Sequence, residues 1–370
     1  MKIEPFLLER FFAKHEFNAP YLLCCSDCES LDVKELLAME PDSRQQLDNL
    51  WLGYTESKGS PQLRSHIAGL YQHISPDQIL VHSGAEEVIF NFMIAAFAPG
   101  DHLIVHSPSY QSLAQVALAA GCQVTRWDTH PADGWELDLD FLEDSIRPQT
   151  RAVVINCPHN PTGYLPTRAK LDQIIAIARR HNLILFSDEV YRFLEYHTAD
   201  ALPPVCDLYE RGLSLGVMSK SFGLAGLRIG WIATQDAQLY QHMAGFKDYT
   251  TICSSAPSEF LSALALRHAG QIIQRNLQII QANLTLLEEF FLRHASRFEW
   301  QPPRAGPIAF PALRRAQDSG AFAEQLVAAS GVLLLPGSNY DPRYNSHFRI
   351  GFGRKNMPEC LALLDEYLQR

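Results

Sequence analysis

Between residues 77 and 235 two hydrophobic rhythms alternate along the chain. One is the short apolar run: Ile79-Leu80-Val81, Leu103-Ile104-Val105, Val124 to Trp127, Ala152 to Ile155, Leu183 to Phe186, Leu213 to Met218 and Leu227 to Ala233. The other spaces apolar residues three and four apart, over Glu86 to Phe97, Ser109 to Ala120 and Thr167 to His181. The first rhythm predicts strands, several buried on both faces; the second predicts helices. Pro99-Gly100 supplies the stop after the first helix. Strands alternating with helices predict an α/β fold, a mainly parallel central sheet covered by helices. Such sheets receive ligands at the carboxyl ends of their strands, so chemistry is expected just after each strand.

The pattern then changes. From Ser258 to about His294 it is continuously helical, with Gly270 as the expected break. Beyond Phe298 come short strands (Pro307 to Phe310, Val332 to Leu335, His347 to Phe352) and two helices (Ala321 to Ala329, Pro358 to Leu368), which predict a smaller α+β unit. The first 45 residues lack a partner of their own and are expected to pack against that unit. The predicted division is a large domain over 46–285 and a small domain built from 1–45 and 286–370.

Composition narrows the class. In 370 residues, 47% are hydrophobic and 19% charged, which excludes a mostly disordered chain. The formal net charge of −10, without a basic run, argues against a nucleic-acid partner. No apolar stretch is long enough for a membrane span, and Met1-Lys2-Ile3-Glu4-Pro5 does not read as a signal peptide. A soluble cytoplasmic protein is expected. Of eight cysteines, Cys24, Cys25 and Cys28 cluster in a CxxC arrangement. No second CxxC or HxxxH follows to complete a tetrahedral site, so the cluster reads as reduced thiols in a turn and no metal is expected.

Four polar groups stand where the strands end. Ser83-Gly84-Ala85 follows the first strand and opens a helix; Asn160 follows the 152–155 run; Asp188 follows the 183–186 run; Lys220 follows Val217-Met218-Ser219. A Gly turn into a helix N-terminus offers free N–H groups to a phosphate. A lysine at a buried strand end can lose its proton and attack a carbonyl. A buried carboxylate calls for a cation, and a protonated pyridine nitrogen is one. Phosphate, carbonyl and pyridinium together describe pyridoxal 5′-phosphate (PLP).

The wording around these residues is specific. It comprises Tyr54-Thr55, Gly59-Ser60-Pro61-Gln62-Leu63-Arg64, Ser83-Gly84-Ala85-Glu86-Glu87 and Pro108-Ser109-Tyr110. Asn160-Pro161-Thr162-Gly163, Asp188-Glu189-Val190-Tyr191, Ser219-Lys220-Ser221-Phe222-Gly223-Leu224-Ala225-Gly226-Leu227-Arg228-Ile229-Gly230 and Phe348-Arg349-Ile350-Gly351-Phe352 follow. In this order, from about Tyr54 to Arg354, the chain resembles the class I/II aminotransferases, PLP enzymes of the aspartate aminotransferase fold (fold type I). The resemblance implies that Lys220 binds PLP as a Schiff base and shuttles the Cα proton, and that Asp188 pairs with the pyridine nitrogen. It implies that Asn160 and Tyr191 hydrogen-bond the phenolic oxygen and that Tyr110 stacks on the ring. The phosphate falls to the backbone of Ala85 and Glu86, to Arg228 and, less specifically, to Ser219. Tyr54 would reach the phosphate of a neighbouring subunit, implying a homodimer with shared sites, and Arg349 would clamp the substrate α-carboxylate. The resemblance implies a substrate contact for Asn160 as well.

Two departures from the family pattern stand out. Val217 occupies a place where relatives often carry a phosphate-binding Ser or Thr. Near the start, Ser26-Asp27-Cys28-Glu29-Ser30 replaces a Gly-Glu-Pro-Asp-like turn, so the substrate mouth is expected to differ, with Phe17, Asn18 and Tyr21 as candidate lining residues. Lys14, His15 and Arg343 are candidates for a second cation that would read a distal carboxylate.

The expected function is a PLP-dependent transfer of an amino group between an L-amino acid and a 2-keto acid. The alternative keeps the site and changes the outcome to β/γ-elimination, replacement or cyclisation. Leu8-Glu9-Arg10-Phe11-Phe12 and Ser26-Asp27-Cys28 lean toward the subgroup resembling capreomycidine synthase, whose members act on arginine-derived substrates. A third reading, a PLP-sensing regulator, would need a DNA-binding module, and only about 50 non-basic residues precede Tyr54.

Overall fold

The computed structural model describes residues 2–314 and 318–369. After the two-residue strand β1 (Tyr21–Leu22), the strands of the large sheet are β2 (Ile79–His82), β3 (His102–Ser107), β4 (Gln123–Asp128), β5 (Thr150–Asn156), β6 (Ile184–Asp188), β7 (Gly212–Val217) and β8 (Gly230–Thr234). Their order across the sheet is β2-β8-β7-β6-β5-β3-β4, and only β8 runs against the others. The α/β expectation of a mainly parallel sheet therefore holds.

Continuous apolar runs form these strands because both faces are covered. Ala152, Val154, Ile184 and Phe186 point to one side and pack with Val88, Ile89, Phe92 and Met93 of the helix Ala85–Ala96. Val153, Ile155 and Leu185 point to the other, against Leu171, Ile174 and Ala178 of the helix Arg168–Arg180. That helix starts where the Thr167 hydroxyl accepts the Lys170 N–H, the usual way to satisfy an orphan donor. Burying side chains of this size is worth roughly 2 kcal/mol each, so the two-sided pattern fixes the register.

The long helical region is two helices, Ala256–Arg267 and Ala269–Arg293. The break comes at His268, not at Gly270, which lies inside the second helix. Glu40 explains the position: it takes both Arg267 nitrogens at 2.7 and 2.8 Å and His268 Nε2 at 2.9 Å, tying the turn to the N-terminal segment.

The rest of the chain carries β9 (Phe298–Glu299), β10 (Ile308–Ala309), β11 (Ala312–Leu313), β12 (Val332–Leu333), β13 (Leu335–Pro336) and β14 (Phe348–Gly351). β14 is flanked by β10 and β13, and β9 pairs with β11. The N-terminal segment makes contacts here: β1 runs parallel to β12, and Leu8 of the helix Leu7–His15 packs with Cys24, Leu333 and Leu335. No helix among the described residues is long and apolar enough to cross a membrane.

Candidate active site

The carboxyl ends of β5, β6 and β7 open into a cavity of about 370 Å³. Its wall includes Ala85, Glu86, Tyr110, Asn160, Asp188, Tyr191, Ser219, Lys220, Arg228 and Arg349. Ten of the eleven residues singled out from the sequence thus meet in one place. The eleventh, Tyr54, lies on the surface, 87% exposed, and does not line this cavity.

Each group is positioned by local structure. Asp188 is the last residue of β6 and is buried. One carboxylate oxygen accepts the Val190 N–H at 3.2 Å, and burial pushes its pKa up to about 7. A carboxyl held this way is short of a cation partner. Asn156, at the end of β5, accepts the Asn160 N–H at 2.6 Å and donates its own amide to the Asp188 carbonyl at 2.8 Å, so two strand ends are locked together. Asn160 turns its Oδ1 to the Tyr340 hydroxyl at 2.8 Å and to Arg349 Nη1 at 3.3 Å, which leaves its Nδ2 as the free donor. Tyr191 is buried and its hydroxyl has no well-formed hydrogen bond, an orphaned donor on the cavity wall.

Lys220 is enclosed, and burial lowers its pKa, with Asp27 pulling upward and Arg349 downward. Its Nζ lies 2.9 Å from Ser26 Oγ. Arg349 is also buried, at 2% exposure. Its Nε and Nη2 both donate to the Cys24 carbonyl, at 3.0 and 2.8 Å, and Nη1 donates to the Tyr340 hydroxyl at 2.7 Å. With Nη1 also donating to Asn160 Oδ1 at 3.3 Å, one Nη2 N–H is uncommitted, and a carboxylate would gain a second donor by displacing that long Asn160 contact.

At the other end of the cavity, Gly84 has φ +86° and turns the chain into the helix Ala85–Ala96. A Cβ there would sit 2.5 Å from Arg228 Nη2, so a glycine is what lets the guanidinium lie against the turn. No carboxylate forms an ion pair with Arg228 among the described residues, and the helix N-terminus adds its own positive end. Glu86, in that first turn, is pushed up to about 7 by burial. These features fit PLP: a phosphate cradle, a carboxyl short of a cation, an orphaned phenol and a deprotonation-prone lysine surround one space of suitable size.

The structure corrects part of the expected mouth. Phe17 is 90% exposed, and neither Asn18 nor Tyr21 lines the cavity; Leu8, Glu9, Phe12 and Glu16 of the N-terminal helix and its end do. Helical spacing explains it: residues 8, 9, 12 and 16 share one face, while 17 and 18 follow the helix and point away. Lys14 pairs with Glu324, His15 sits by the same carboxylate, and Arg343 is held by Asp128 and Asp341, so none of the three supplies a cavity cation. Val217 is buried among core residues, and Ser219 stands at the cavity wall beyond it.

Sequence reasoning missed Tyr340 and Asn156, which no motif marks. It flagged the Ser26-Asp27 stretch only as a departure. In space that stretch reaches the cavity, with Asp27 bound to Arg354 through two contacts of 3.0 and 2.8 Å. Cys24, Cys25 and Cys28 are free, buried thiols in the same loop.

The sequence model of the family described as aminotransferase class I and II matches residues 21–364. The chain is 30% identical to capreomycidine synthase of Streptomyces vinaceus, over 99% of this chain and 93% of that one. It is 27% identical to an aspartate aminotransferase of Thermotoga maritima, over 86% of this chain and 82% of that one. A solved PLP-dependent aminotransferase from Streptococcus suis superposes with a TM-score of 0.94 at 30% identity, covering 100% of this chain and 99% of its own. A solved PLP-dependent cyclase, OrfR, superposes with a TM-score of 0.90 at 27% identity, covering 100% and 98%. Sequence, fold and the chemistry of the cavity agree, and the chain belongs to the class I and II aminotransferases, enzymes whose cofactor is pyridoxal 5′-phosphate.

Proposed function

We propose that this enzyme moves an amino group from an L-amino acid with a cationic side chain to a 2-keto acid, with Lys220 as the cofactor-bearing and proton-moving residue. The observation that carries the reading is the convergence of Lys220, Asp188 and Arg349 on one cavity at the strand ends. PLP, when bound, supplies an aldehyde that condenses with amines and a ring that draws electrons from the substrate Cα.

The roles of the chain's own groups follow from their settings. Burial favours the neutral amine of Lys220, whose lone pair can accept the Cα proton and return it elsewhere. Asp188 would hold a protonated pyridine nitrogen, the cation its carboxyl lacks. Tyr191 and Asn160 Nδ2 would donate to the phenolic oxygen, and Tyr110 would cover one ring face. The backbone of Ala85 and Glu86, the Ser219 hydroxyl and Arg228 would take the phosphate. Burial raises the Glu86 pKa to about 7, which weakens its repulsion of that phosphate. Arg349 would take the α-carboxylate with its uncommitted Nη2 N–H and the Nη1 N–H that otherwise holds Asn160, and Asn160 would touch the same substrate.

The side-chain direction is acidic. Glu9 and Glu16 stand two helical turns apart on the face that lines the cavity, with Phe12 between them and 5.8 Å from the Arg349 guanidinium. Glu9 takes only the Tyr110 hydroxyl, at 3.1 Å, and burial raises the Glu16 pKa. The Arg354 charge is already matched by Asp27. A guanidinium or ammonium suits this wall, whereas a distal carboxylate would be repelled.

The reading includes a homodimer, supported by exposed Trp51, Leu52, Tyr54, Tyr249 and Ile252, with Tyr54 reaching the partner's phosphate. It keeps a large domain over 46–285 and a small one from 1–45 and 286–370. It also keeps a cytoplasmic setting, which eight unpaired cysteines suit. A second outcome, elimination or cyclisation, is favoured by the similarity to capreomycidine synthase and to the solved cyclase. It uses the same residues up to removal of the Cα proton.

A stopped-flow absorbance screen of the cofactor-loaded enzyme with L-arginine, L-ornithine, L-alanine and L-aspartate tests both. Transamination converts the ~420 nm band to one near ~330 nm and releases a keto acid. The basic amino acids should react at least about tenfold faster than aspartate, and Glu16→Gln should narrow that gap. Ammonia or a cyclic product with return of the original band selects the second outcome. A cofactor band that survives borohydride-free dialysis equally well in Lys220→Ala sinks the assignment of Lys220.

A further inference from the structure

We propose that the Ser26 hydroxyl is a positioning residue for Lys220, holding one amine N–H so that the lone pair faces the substrate Cα. The proposal rests on the assignment of Lys220 above and adds a residue that the family pattern does not supply at this place.

Three observations carry it. The first is the contact itself: Lys220 Nζ donates to Ser26 Oγ at 2.9 Å inside the cavity. The second is rigidity. The loop around Ser26 is pinned on both sides, by Arg349 on the Cys24 carbonyl at 3.0 and 2.8 Å and by Arg354 on Asp27 at 3.0 and 2.8 Å. The Glu29 N–H donates to the Gly353 carbonyl at 2.8 Å. A Cβ on Gly351 would fall 1.7 Å from the Cys25 carbonyl, and one on Gly353 would fall 2.4 Å from that of Asp27. The loop therefore lies flat on β14 and its exit, the segment that carries Arg349. The third is placement: Ser26, Lys220 and Tyr191 line the same cavity as Arg349.

A neutral amine has two N–H bonds and one lone pair, and a flexible lysine can aim them in many ways. An acceptor fixed in the frame of Arg349 removes that freedom, because Arg349 is also what orients the substrate. In the transfer, the Cα–H bond breaks, its electron pair stays with the carbon framework, and the proton joins the Lys220 lone pair. The resulting ammonium keeps its N–H on Ser26 Oγ, a bond that strengthens as charge develops on the nitrogen. Return of the proton to a second carbon restores the neutral amine. No external oxidant or reductant is required.

The test is wash-out of deuterium from Cα-deuterated L-arginine, L-ornithine, L-alanine and L-aspartate by the holoenzyme, followed by NMR. This step precedes the branch between transamination and cyclisation. Ser26→Ala should slow exchange at saturation about 10- to 100-fold, change KM less than about threefold, and raise the primary isotope effect. Ser26→Thr, which keeps the hydroxyl, should recover most of the rate. Retention of the cofactor absorbance by both variants checks that the cavity is intact. Exchange and isotope effect unchanged in Ser26→Ala, or a loss confined to KM, overturns the role of Ser26 alone. A wild-type enzyme that exchanges none of the four overturns the Lys220 assignment and this inference with it.

Discussion

Arg349 shows how much one side chain can be committed before any substrate arrives. Its fork holds the Cys24 carbonyl with one edge and meets Tyr340 and Asn160 with Nη1, all at full burial. A lysine offers no fork and no second edge. Arg349→Lys should therefore raise KM for the amino donor about 10- to 100-fold, in line with loss of one or two charge-assisted hydrogen bonds, while cofactor absorbance persists. Steady-state kinetics on the best donor from the amino-acid screen read this directly. An unchanged KM would put the α-carboxylate elsewhere in the cavity. The residue was legible from Phe348-Arg349-Ile350-Gly351-Phe352; its partner Tyr340 was not, because a single tyrosine nine positions upstream carries no pattern.

At the scale of elements, the turn from β2 into the helix Ala85–Ala96 and the strand β8 meet around Gly84. That glycine has φ +86°, and Arg228 packs where its side chain would be. Gly84→Ala must strain the backbone, displace the guanidinium, or both. The expected result is at least about a tenfold weaker hold on PLP with the large sheet intact, read by cofactor titration and far-ultraviolet circular dichroism. Strand–turn–helix order made this element readable in advance. The N-terminal helix Leu7–His15 was not, since nothing local says which of its faces will meet the cavity; docking of Leu8 on Leu333 and Leu335 decides that.

For the molecule as a whole, acid sensitivity has an identifiable source. His106 and His159 stack with ring centroids 3.8 Å apart and are fully enclosed, and burial lowers the pKa of both, that of His159 to about 3. Unfolded histidine takes up a proton below pH ~6.5, while these rings stay neutral in the native state. The unfolded state then binds more protons, so their contribution is present at neutral pH and is lost as pH falls below ~6.5. His106 makes no hydrogen bond through either ring nitrogen, so phenylalanine is a fair isostere. His106→Phe should remove one such group, and its stability relative to wild type should improve by about 2 kcal/mol between pH 7.5 and pH 5. Denaturant unfolding at the two pH values measures this. A difference independent of pH would mean that His106 takes up a proton in the folded chain.

The sequence by itself determined the sheet, its helical cover and the reactive groups at its strand ends. Those features are local: runs of β-branched residues make doubly buried strands, Asp188 closes its strand, and Lys220 and Asn160 follow theirs by three and four positions. The same words placed the chain in its family. What only the tertiary structure decided is the substrate side of the cavity. Ser26, Asp27, Glu9 and Glu16 come from the first 30 residues, yet they face Lys220 and Arg354 from the far end of the chain. Their positions depend on β1 joining β12 and on two glycines that let a loop lie on β14. Contacts across some 200 to 330 residues leave no periodicity and no spacing to read, because they arise from packing between segments rather than within them.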